Sequence, residues 1–166
     1  MDTVYIETSI VSHASARPSR DLQTAALQEQ ARAWWANERP KFHLVTSQLT
    51  LTEASDGDPS AAAERLKMLD GIELVPLGTE VDKLAELLLQ KHFMPQKAGA
   101  DATHVAAAAI AGINYLLTLN CKHIANAHEL PRVYRLLDDL GYGQLLICTP
   151  NEFLGEEDND VEESHP

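Results

Sequence analysis

Short apolar runs rich in β-formers recur along this chain, and stretches of helical character separate them. Thr3-Val4-Tyr5-Ile6 opens the series, and residues 41–45, 72–76, 113–118 and 144–148 read as four further strands. Between them, residues 22–37, 60–69, 81–91, 101–111 and 131–140 carry helical spacing, and Ser47 caps a short helix that carries Glu53. Strands joined through helices are joined by crossovers, which make neighbouring strands parallel. The expected fold is therefore α/β, a three-layer α/β/α arrangement around a mostly parallel central sheet.

Local signals sharpen this reading. Asp21 is a good N-cap for the helix that follows, with Leu27, Ala31 and Trp34 on one face. Pro59 starts the helix after the Asp56-Gly57-Asp58 break. Leu84, Leu87 and Leu88 face inward on the next helix. Asp101 opens an Ala-rich helix that is apolar nearly all round, which predicts burial.

At 166 residues the chain is one domain, long enough to bury a core without staples. No run of 18 apolar residues exists, so no membrane span is expected. The start lacks a basic segment, so no signal peptide is expected. Two cysteines, Cys121 and Cys148, are too few for a disulfide framework, and a cytoplasmic protein with free thiols is expected. The net charge of −12 is uneven: seven acids and no Lys or Arg fall in residues 151–166. We therefore expect a domain over residues 1–150 and a solvated, disordered acidic tail over 151–166. An acidic body argues against gripping nucleic acid over a wide surface, which needs many cations. Any such activity must work through a local basic patch.

In open parallel sheets, sites form beyond the carboxyl ends of the strands. Four polar residues stand there or open a helix. Glu7 follows the first strand, Glu53 lies on the helix after the second, Asp101 opens the buried helix, and Asn120 follows the fourth strand. Three carboxylates and an amide offer oxygen ligands suited to Mg²⁺ or Mn²⁺. Such a cation accepts phosphate oxygens, the arrangement used in phosphodiester hydrolysis. Each residue also has a structural reading. Asp101 serves as an N-cap, Glu53 as a solvated helix residue and Asn120 as a turn residue. Glu7 is harder to dismiss, because a carboxylate against a buried strand end is costly unless partnered.

These segments resemble those of the PIN-domain family, in particular the VapC-type toxins of type II toxin–antitoxin systems. The matching pieces are Val4-Tyr5-Ile6-Glu7-Thr8-Ser9, Ser47 through Glu53, Ala100-Asp101-Ala102-Thr103-His104-Val105-Ala106 and Leu116-Leu117-Thr118-Leu119-Asn120. No one of them is specific; the four in order are. The resemblance covers about residues 1–150 and implies a PIN-like fold and a metal-dependent endoribonuclease. It implies that Glu7 and Asp101 chiefly hold Mg²⁺ or Mn²⁺, that Glu53 orders the site and that Asn120 takes the fourth position. Two departures stand out, since the first position is usually Asp and the fourth often Asp. Implied partners are RNA and an antitoxin protein. A homodimer is expected as the commonest assembly.

Arg17, Arg20 and Lys122, with Lys97 and His123, lie in loops near these segments and are candidate phosphate contacts. Cys121, His123 and His128 match no structural zinc spacing. Of Trp34 and Trp35, one is expected in the core rather than stacking bases. Two other readings compete: a PIN-like module that binds or regulates without catalysis, and an unrelated α/β domain. Against the latter, neither phosphate-loop signature G-x-x-x-x-G-K-[ST] nor G-x-G-x-x-G occurs.

Overall fold

The computed structural model describes residues 1–91 and 93–154. Its centre is a five-stranded sheet in the order β3-β2-β1-β4-β5, parallel throughout. The strands are β1 (Thr3–Ile6), β2 (His43–Thr46), β3 (Glu73–Leu74), β4 (Tyr115–Leu117) and β5 (Leu146–Cys148). The helices are α1 (Thr8–Ser15), α2 (Leu22–Ala33), α3 (Gln48–Ala54), α4 (Pro59–Leu69), α5 (Thr79–Gln90), α6 (Gly99–Ile110) and α7 (Leu130–Asp139). The three-layer α/β/α expectation holds.

Side chains alternate across the sheet, as a two-residue period requires. On β1, Tyr5 enters one core with Val45, Leu116 and the buried faces of α5, α6 and α7. Val4 and Ile6 enter the other core with Ile10, Val11, Ala31, Trp34, Ala54 and Leu69. Both faces are covered, which is why β1 is buried from Val4 to Ile6. The Ala-rich helix α6 is buried on nearly every side, from Ala102 through Ala109. Methyl side chains let it lie close to the sheet and to α5.

Several boundaries move for physical reasons. α2 gives way at Trp34 to a π-helical turn, Trp34–Glu38, closed by the Arg39 N–H on the Trp34 carbonyl. The N-cap reading of Asp101 is corrected: α6 begins at Gly99 with Ala98 as its N-cap, so Asp101 sits inside the first turn with its side chain free for other partners. Strand β4 begins at Tyr115 because the Asn114 side chain closes its entry, accepting from the Thr3 backbone N–H at 2.9 Å and the Thr3 hydroxyl at 2.9 Å. The packed body runs past residue 150. Pro150–Phe153 forms a short 3₁₀ helix, and Phe153 stands edge-on to Tyr115 at 5.2 Å and to Phe42 at 5.5 Å. The rest of the expected acidic tail, residues 155–166, lies outside the described residues. Among the described residues, no helix is long and apolar enough to cross a membrane.

Candidate functional site

The strand order reverses direction between β1 and β4, because β2 and β3 lie to one side of β1 and β4 and β5 to the other. At such a point the connections leave the sheet toward opposite faces, and a crevice opens beyond the strand ends. Glu7 follows β1 there, and Thr118 and Asn120 follow β4. The expected strand-end carboxylate is therefore beside the switch point.

Glu7 is only 5% exposed. It is the N-cap of α1, and its Oε2 accepts from the Ser9 backbone N–H at 3.1 Å. The same oxygen accepts from the Thr118 hydroxyl at 2.8 Å and from the Ser9 hydroxyl. Thr118 Oγ1 in turn accepts from the Asn120 N–H at 3.0 Å, which ties the end of β4 to the end of β1. Glu7 Oε1 has no protein hydrogen-bond partner among the described residues.

Glu53 comes from the last turn of α3 and is half-buried. Its Oε1 accepts from the Thr8 hydroxyl at 2.7 Å and from His104 Nε2–H at 2.5 Å. Among the described residues its Oε2 is likewise free of protein partners. Burial alone would raise this carboxyl. The hydrogen bond and charge of His104, with the Thr8 hydroxyl, outweigh it and hold the group below its ordinary value. A ligand atom from each of Glu7, Glu53 and His104 lies within 4.8 Å of the other two.

Asp101 does not complete that group of three. Its Oδ1 accepts from Asn120 Nδ2 at 3.3 Å, and its Oδ2 from His123 Nδ1–H at 3.1 Å. Asn120 Oδ1 accepts from the His123 backbone N–H at 3.0 Å, an Asx-type turn. The Asn120 amide therefore donates to Asp101, and its oxygen is spent on the loop. Asp101 and His104 stand three residues apart on α6, so one helix face carries a member of each cluster.

The donor set fits a hard divalent cation. Two carboxylates approach each other, each anchored through one oxygen and open at the other. Like charges so close repel unless a cation or a proton stands between them. Both nitrogens of His104 are engaged, Nε2 by Glu53 and Nδ1 by the Tyr5 hydroxyl at 2.7 Å, so its ring serves a carboxylate rather than offering a free donor.

Arg17, Arg20 and Lys122 are exposed. Among the described residues, no hydrogen bond or ion pair joins their side chains to either cluster. Arg17 lines a separate cleft with Ser12, Ser15 and Arg65 on the α1–α4 side. Trp34 is fully buried, whereas Trp35 lies partly exposed beneath the Arg39 guanidinium at 4.7 Å. Sequence reasoning quoted Thr8, Ser9, His104 and Thr118 within the matching segments but gave none of them a role in the site. One signal for His104 was present: a lone imidazole on an otherwise apolar helix, three residues from an acid.

No protein-family model matches the chain, and no curated protein matches it. Among solved structures, VapC20 of Mycobacterium tuberculosis, a sarcin-ricin loop cleaving toxin, is 21% identical over 68% of this chain and 86% of its own, with a TM-score of 0.49.

Proposed function

We propose that this chain is a divalent-metal-dependent endoribonuclease of the PIN type, acting as the toxin of a toxin–antitoxin pair in the cytoplasm. The observation that carries the reading is the approach of two carboxylates, Glu7 and Glu53, beside the ends of β1 and β4, each keeping one oxygen without a protein partner among the described residues. The ordered sequence resemblance to VapC-type toxins supports it independently.

Glu7 and Glu53 would hold Mg²⁺ or Mn²⁺, and Asp101, in the neighbouring cluster one turn along α6 from His104, is the further ligand that the resemblance implies. The bound cation supplies charge neutralisation at the scissile phosphate and a more acidic water. Thr118 and Ser9 keep Glu7 fixed, and Thr8 keeps Glu53 fixed. Asn120 and His123 orient Asp101. Arg17, Arg20 and Lys122, all exposed, are the proposed contacts for phosphates of the bound strand. The catalytic unit is residues 1–150 with the Phe153 turn packed onto it. A homodimer and an antitoxin protein are the proposed partners.

The test is cleavage of single-stranded and hairpin RNA by the purified protein with Mn²⁺ or Mg²⁺. The wild type should cut, and chelation, Glu7→Gln or Asp101→Asn should return cutting to background. A wild type that binds Mn²⁺ yet leaves every RNA intact would favour the non-catalytic binding module.

A further inference from the structure

The geometry points to His104 as a positioning residue for the Glu53 carboxylate, at the inner end of a buried hydrogen-bonded chain Ser47–Tyr5–His104–Glu53. This role rests on the reading of Glu53 as part of a cation site.

Glu53 needs outside support. It stands in the last turn of a seven-residue helix, where the helix's own bonds hold least. Its long side chain loses much rotamer freedom when fixed. Left to α3 alone, it would sample many directions. The structure instead anchors one oxygen from two other elements, Thr8 of α1 and His104 of α6, and leaves the second oxygen open.

His104 can do this because it is itself held. It is 0% exposed, as are Tyr5 and Ser47. The Tyr5 hydroxyl lies 2.7 Å from His104 Nδ1 and 2.7 Å from Ser47 Oγ. A carboxylate can only accept, so Nε2–H donates to Glu53, and Nδ1 is held on the other side of the ring by the Tyr5 hydroxyl, itself backed by Ser47. One ring nitrogen is pinned by the core, so the other points at the carboxylate. Partners of this kind behind a metal ligand typically change metal affinity by about 10–100-fold when removed.

The experiment is Mn²⁺ binding by calorimetry to the wild type, His104→Leu, His104→Gln and Tyr5→Phe, with imidazole ¹⁵N NMR on the metal-free proteins and on Glu53→Gln. His104→Leu should weaken Mn²⁺ binding by about tenfold or more. His104→Gln, whose side-chain amide can still donate to Glu53, should recover part of that loss. Tyr5→Phe, a single-hydroxyl change that spares packing, should weaken binding less than His104→Leu. In the metal-free wild type a slowly exchanging, downfield Nε2–H signal should be present, and Glu53→Gln should move it. Leu and Phe variants that bind Mn²⁺ as tightly as the wild type would overturn the positioning role, as would the absence of that signal. A wild type that shows the signal but binds no Mn²⁺ would overturn the cation-site reading, and this role with it.

Discussion

Three consecutive residues after β1 each hold a different part of the site. Glu7 offers the carboxylate, Thr8 donates to Glu53, and Ser9 donates back to Glu7. Such economy follows from the strand-to-helix turn, where backbone and side-chain donors crowd around one point. The state of Glu53 also has a consequence for stability. Its folded-state carboxyl lies below the ordinary value of 4.5. A group depressed on folding adds stability above its unfolded value and loses it as pH falls through the folded value. Thermal unfolding from pH 7 to pH 3 should therefore show the wild type losing stability below about pH 4.5. Glu53→Gln should lose less over the same range, and parallel curves for the two proteins would refute the account.

At the scale of the element, the join between α2 and its π-helical extension decides which tryptophan is core. The wider turn starts at Trp34, which is fully buried and stacks on Phe42 at 6.1 Å. Trp35, the next residue, is only half-buried, packed at the edge of that core under Arg39. Trp34→Ala should cost about 3–5 kcal/mol in denaturant unfolding. Trp35→Ala should cost clearly less, because its ring is only half-buried at the edge of that core. Equal losses would mean that the two rings share the core. Helix α6 shows the same division between packing and chemistry. Its alanines pack on all sides, while Asp101 and His104, one turn apart, reach the two clusters of the site.

The whole molecule is two cores on opposite faces of one parallel sheet, with the candidate site where the strand order turns back. The C-terminal end of the packed body closes the second core, because Phe153 meets Trp34, Phe42 and Tyr115. A chain ending at Leu154 should keep the midpoint of the full chain in thermal unfolding. Phe153→Ala should lower it by about 3–10 °C, the equivalent of a partly buried aromatic in a domain of this size. A full-size drop on removing residues 155–166 would show that the acidic segment itself supports the fold.

Patterns with a short range were legible in the sequence. The alternation of strands and helices set the α/β class, since each element's periodicity reports which of its own faces is apolar. Asp21 as an N-cap and Trp34 as a core residue follow from the same local logic. Glu7 was legible as well, because an acid directly after a buried strand demands a partner. The partners themselves were not. Glu53 and His104 are separated by 51 residues and Glu7 and Thr118 by 111, and no local pattern encodes such a meeting. Only the parallel order β2-β1-β4, and α6 lying against that sheet, brings them together. The sequence by itself determined the layers and the kind of chemistry available. The tertiary structure decided which oxygens are tied down and which stay open, because hydrogen bonds depend on distances that exist only after the sheet has closed.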